Sequence, residues 1–318
     1  MTFNGWEVVP IFAFVVSVAL GQANPPVAPQ TADANPVLTS RLQTIGVESN
    51  APGPTTVYAV RGHFEAPNWT RDGSSLIFDQ DGKIMRIHVP GSVPSVIDTG
   101  SANQCNGSHG LSPDGKLLAI SCSAPDLPGS HIYVMPLTGG APRLVTQRSG
   151  AYWHSWSPDG KTIFFTRPDH GSINIYSISV DGNDERPLTT GTGTSDDPDV
   201  SPDGNYIYFN SDRGGTTQIW RMHQDGSSPE QITSDDRVNW TPHISPDGTR
   251  MVFLSYEHGV TGHPANQKIE LRLMSLKDRK IRVLTSLIGG SGTINVPSWA
   301  PDSLHLAFVG YEFAPPAH

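Results

Sequence analysis

The chain has 318 residues, of which 36% are hydrophobic and only 16% charged, with 32 Gly and 28 Pro. That balance disfavours a helical protein, because neither Gly nor Pro suits a helix interior, and it fits an all-β chain with many turns. The formal net charge of −9 excludes a broadly basic surface, so no nucleic-acid partner is expected, and an anionic ligand would need a local basic patch.

The first element in chain order is an apolar run from Val8 to Gly21, VVPIFAFVVSVALG. It is shorter than the ~20 residues of a membrane span and ends in small residues. Residues 1–21 therefore read as a signal peptide cleaved before Gln22, although the segment before the run has no Lys or Arg and carries Glu7. A periplasmic or secreted location is expected, with membrane contact only through an uncleaved N-terminus. Residues 22–39 are rich in Pro and Ala and read as a flexible linker, leaving 40–318 as the folded domain.

Two strand-like stretches come next, SRLQTIGV (40–47) and TTVYAV (55–60). A turn motif then recurs to the end of the chain. WTRDG ends at Gly73, LSPDG at Gly115, WSPDG at Gly160, VSPDG at Gly204, ISPDG at Gly248 and WAPDS at Ser303. The spacings are 42, 45, 44, 44 and 55 residues, the period of propeller blades. Ser can bond its own backbone, Pro presets φ, Asp favours the third turn position and Gly accepts the left-handed conformation that follows. Each motif should join two antiparallel strands.

An apolar strand follows each turn, for example TIFFTR (162–167) and YIYFNS (206–211). An alternating strand follows it, such as INIYSISV (173–180), and a short fourth one, such as EQITSD (230–235). The expected fold is thus all-β: a six-bladed β-propeller with four antiparallel strands per blade. The sixth repeat stops soon after its second strand, so 40–47 and 55–60 should supply its third and fourth strands and close the ring.

Cys105 and Cys122 flank the second turn and fall nearly opposite each other across one hairpin. They form either a disulfide or two partly buried thiols. Trp69, Trp156 and Trp299 directly precede turns and should pack between blades, whereas Trp153 and Trp240 are offset and could line a funnel.

The [ST]-x-D-G hairpins, each preceded by an aromatic or aliphatic residue, resemble TolB-type (WD40-like) propeller repeats over residues 40–311. In such a propeller the start of the innermost strand and the loop after the second strand open on one face. The chain places His109, His154, Asp197, Asp199 and His243 just before the turns, with Glu65 and Asn295 slightly earlier in their blades. Arg167, Asp169, His170, Asp212 and Arg213 follow second strands, and the long loop 256–268 carries His258 and His263.

Two functions follow. The first is a module binding a protein or carbohydrate at the channel mouth through Trp153, Asp197, Asp199, Trp240 and His263. The second is a metal-dependent lyase acting on acidic oligosaccharides. There His109, His154 and His243 would hold Mn, Zn or Fe, and His263 or Arg213 would act on the sugar. WHSWSPDG and PHISPDG look similar to the His-bearing blade starts of oligogalacturonate lyases, propellers with seven blades rather than six. The binding module demands fewer features and is the favoured expectation. No Walker, Rossmann, zincin or nucleophile-elbow motif is present.

Overall fold

The computed structural model describes residues 36–191 and 193–314. The expected signal peptide and most of the expected linker lie outside these residues. The first strand is Val37–Gly46, so Val37 to Thr39 belong to the folded domain rather than to the linker.

The turn chemistry works as the motif implies. In WSPDG the Ser157 hydroxyl donates to Asp159 Oδ1 at 2.6 Å and accepts the amide of Thr162 at 2.9 Å, while Gly160 takes φ 70°. The same Ser/Thr–Asp pair recurs in the turns at Thr70, Ser112, Ser201 and Ser245. These bonds favour the charged carboxylate, and Asp72 is held down to about 2, chiefly by the Thr70 hydroxyl. In the sixth turn Ser303 adopts φ 59° where the others have Gly.

In blades one to five the turn joins the two inner strands of a four-stranded antiparallel sheet, and in blade six it joins an irregular inner stretch to a three-stranded sheet. Blade three is Tyr152–Trp156, Thr162–Asp169, Ser172–Ser179 and Arg186–Pro187. Blade four is Ser195–Val200, Tyr206–Ser211, Gln218–His223 and Glu230–Gln231. Blade six closes the ring as expected. Its second strand, His305–Ala314, pairs with Val37–Gly46, which in turn pairs with Thr55–Arg61. Its innermost stretch is residues 293–300, held by the bonds Val309 N–Thr293 O (3.1 Å) and Ala307 N–Ser298 O (2.9 Å).

The core lies between blades. Trp156 and Trp153 of blade three pack on Ala119, Ile132 and Val134 of blade two. Trp69 packs with Leu42, Ala307 and Val309, and Trp299 with Val252 and Leu254. Two of these indoles also bond across blades, Trp156 to the Gly110 carbonyl (3.1 Å) and Trp299 to that of His243 (2.9 Å). Cys105 and Cys122 stand directly opposite in register and form a disulfide.

Candidate functional site

The innermost strands are not regular. In blades one to five the register shifts midway: between Glu65 and Asn68, Cys105 and His109, Trp153 and Ser155, Asp196 and Asp199, and Trp240 and His243. Four of these breaks hold a residue in the left-handed region, namely Ala66 (φ 63°), Gly107 (φ 78°), Asp197 (φ 50°) and Thr241 (φ 56°). A bulge re-aims the side chains on either side of it. The result is two concavities, one at each end of the inner strands.

The first is a funnel of about 340 Å³ to which all six blades contribute, through Glu65, Ser108, His154, Asp197, Thr241 and Asn295. Asp196 and His263 also line it, and no Lys or Arg does among the described residues. The second, about 330 Å³, sits at the turn end and is lined by Trp69, Trp156, Trp299, Arg71 and the turn prolines.

Only part of the expected constellation meets in the funnel. His154 is there, with Nδ1 3.4 Å from Asp197 Oδ1 and Nε2 3.6 Å from Asp196 Oδ1. His263 is there too, its ring 4.6 Å from that of Trp240. Trp240 itself is buried beneath the rim rather than exposed in the funnel. Trp153 and Asp199 face the opposite end, because the bulges separate them from His154 and Asp197. Asp199 accepts the amide of Ile244 at 2.7 Å, tying blade four to blade five.

His109 and His243 do not join His154. Both are buried in the channel wall and line neither concavity. Burial holds His109 down to about 4, partly opposed by the backbone at Ile77 and Gly107. His243 donates from Nε2 to the carbonyl of Ile294 at 2.6 Å, and burial holds it down to about 3. The expected three-histidine metal set is therefore not assembled.

The second-strand arginines are also engaged elsewhere. Arg167 pairs with Glu185 and lies over the Phe165 and Tyr176 rings. Arg213 bonds Ser195 and Ser211 and lies over Phe209 and Trp220, outside the funnel lining.

The residues not singled out from sequence are Asp196, Thr166 and Thr241. The doublet Asp196–Asp197 was the available signal, but strict alternation would point its members apart. The bulge keeps both beside His154, and the Thr166 and Thr241 hydroxyls hold the group, at 2.9 Å from His154 Nε2 and 3.0 Å from Asp197 Oδ2. Burial lowers His154 to about 4, partly opposed by Asp196 and reinforced by His263. Burial, with Asp196 next to it, raises Asp197 well above the usual carboxylate range.

Glu65 lies across the funnel against Gly107 and Gly292, with no room for a side chain at either glycine. Burial, and then the charge of Asp79, pushes it up to about 7 from 4.5. The folded protein thus keeps a proton that the unfolded chain releases, and stability falls as pH rises from about 4.5 to 7. Glu65→Gln should therefore raise stability above pH 7.5 by as much as about 3 kcal/mol and change little near pH 4. Urea unfolding in EDTA at both pH values checks this; an equal gain at both would refute the charge-burial account.

A family model described as the TolB beta propeller domain matches residues 128–312. An uncharacterized protein of Agrobacterium fabrum is 45% identical over 249 residues, 78% of this chain and 85% of the relative. The solved structure of a candidate TolB from Agrobacterium tumefaciens superposes with a TM-score of 0.83 at 41% identity, covering 88% of this chain and 99% of that one. TolB from Acinetobacter baumannii, at 21% identity and a TM-score of 0.62 over 87% of this chain and 67% of that one, shares the fold.

Proposed function

The chain belongs to the TolB β-propeller family, and we propose that it is an exported binding propeller that takes a protein or glycan ligand into the funnel. The observation that carries this reading is the funnel itself, a single cavity built by all six blades. Its polar groups are not all spent on the fold: the Oδ1 atom of Asn295 has no partner among the described residues, and the Glu65 carboxyl faces the cavity. Concave sites with a few convergent polar groups are where ligands bind.

The lining carries carboxylates and no Lys or Arg among the described residues. Such a lining suits a ligand presenting a cationic or hydroxyl-rich group, such as a basic peptide side chain or a neutral sugar. It offers no cation to neutralise a polyuronate. This weighs against an oligogalacturonate lyase. Export draws support from the Cys105–Cys122 disulfide, which persists in oxidising compartments, and from the apolar run ending at Gly21.

The test uses the exported protein, expected to begin at Gln22 by intact mass. Peptide and glycan arrays would supply ligands, and calorimetry would rank them. Ser291→Trp, at the funnel lining, should weaken any true ligand at least tenfold, a loss of about 1.4 kcal/mol. Pro202→Ala, at the opposite end, should leave affinity unchanged. Ligands that bind the Ser291→Trp protein as well as the parent would place recognition elsewhere.

A further inference from the structure

We propose that His154, Asp196 and Asp197 form a binding site for one divalent transition-metal ion in the funnel, Zn(II) in preference to Mg(II) or Ca(II). This goes beyond ligand capture and does not depend on it, since the metal is read with no ligand present.

Geometry carries the proposal. One ligand atom from each residue can be chosen so that all three lie within 4.8 Å of one another. Among the described residues no other group of three or more His, Cys, Asp or Glu does this. The 3.4 Å between His154 Nδ1 and Asp197 Oδ1 matches the roughly 3.4 Å between two ligands of a tetrahedral ion with bonds of about 2.1 Å. The three residues are 8%, 7% and 9% exposed, so this is not a solvated acidic patch.

The unused atoms point the same way. His154 Nδ1 makes no hydrogen bond among the described residues and faces Asp197, while Nε2 is held by the Thr166 hydroxyl at 2.9 Å. Metal-bound imidazoles are typically oriented by such a bond at the other ring nitrogen. Asp197 Oδ2 is held by Thr241 (3.0 Å), which leaves Oδ1 free, and Asp196 Oδ1 accepts the Asp197 amide (2.9 Å). Each ligand thus has an outer partner. One imidazole with two carboxylates suits a borderline ion better than Mg(II) or Ca(II), which favour all-oxygen shells. Three protein ligands leave a fourth position open toward the cavity, the pattern of sites that bind an exogenous molecule.

The experiment is calorimetric titration of the EDTA-stripped full-length exported protein with Zn(II), with bound metal counted by elemental analysis. One ion per chain is expected, and excess Ca(II) or Mg(II) should not displace it. His154→Gln and Asp197→Asn should each weaken binding by on the order of 100-fold, and Thr166→Val by about tenfold. His305→Ala, at an exposed surface pair with Asp302, should have no effect. If a variant fails to fold, the parent is loaded with Co(II), and the visible bands of a four-coordinate ion decide. Sub-stoichiometric metal, six-coordinate Co(II) spectra, or Zn(II) affinity unchanged in folded His154→Gln and Asp197→Asn would overturn the site.

Discussion

A chain without residues 36–61 loses its cooperative fold. Those residues supply the third and fourth strands of blade six, and Val37–Gly46 pairs along its whole length with His305–Ala314. Leu42, Ile45 and Val47 are buried there, at 0%, 6% and 2% exposure. Their burial contributes roughly 1.5–3 kcal/mol each, about 6 kcal/mol in all. That is comparable to the roughly 5–15 kcal/mol of net stability of a typical folded domain.

The deletion also leaves a long edge strand unpaired, an invitation to aggregation. Tyr58 packs on Phe64 and Phe78 at 5.5 and 6.0 Å between ring centroids, so blade one loosens as well. Near-UV circular dichroism and thermal unfolding would show the loss. A truncated chain melting sharply within a few degrees of the parent would show that ring closure matters little. Leu42→Ala is the milder form and should cost about 2–5 kcal/mol.

Gly110→Ala is the second large effect. A methyl group built on Gly110 would overlap the Trp153 ring of the neighbouring blade, and Trp153 is 1% exposed. The ring cannot retreat, because it is packed against Ala119, Ile132 and Phe165. Overpacking of this kind costs about 1–3 kcal/mol or more. It should also stretch the Trp156 bond to the Gly110 carbonyl. Trp153→Phe alone leaves a gap and destabilises. Combined with Gly110→Ala it should recover at least about 1 kcal/mol relative to simple addition, as touching residues couple in double-mutant cycles. Urea midpoints of the four proteins measure this, and strict additivity would mean that the two residues do not meet as described.

Much of the fold is legible in the sequence because it rests on local chemistry. A Ser–Pro–Asp–Gly turn needs only its own four residues, and four of them with two variants, Thr–Arg–Asp–Gly and Ala–Pro–Asp–Ser, define six hairpins at blade spacing. The truncated last repeat and the strand character of 40–47 and 55–60 point to closure without any knowledge of packing. Placing Trp69, Trp156 and Trp299 between blades follows from their common position before the turn.

The site is less legible, and the reason lies in the inner-strand bulges. Strand periodicity assigns one face to every second residue, and one extra residue reverses the assignment beyond it. Four of the five bulges are occupied by Ala66, Gly107, Asp197 and Thr241 and the fifth by His154, which share no side-chain chemistry. Nothing in the residue types announces the break.

By itself, then, the sequence determined the all-β propeller, its six turns, its closure and the near-opposition of Cys105 and Cys122, because short-range turn geometry sets each of these. Only the tertiary structure decided that His154 meets Asp196 and Asp197, while His109 and His243 lie in the wall and Asp199 turns to the far end. That outcome depends on where each inner strand bulges and on six blades converging around one channel, and neither is encoded within the span of a single repeat.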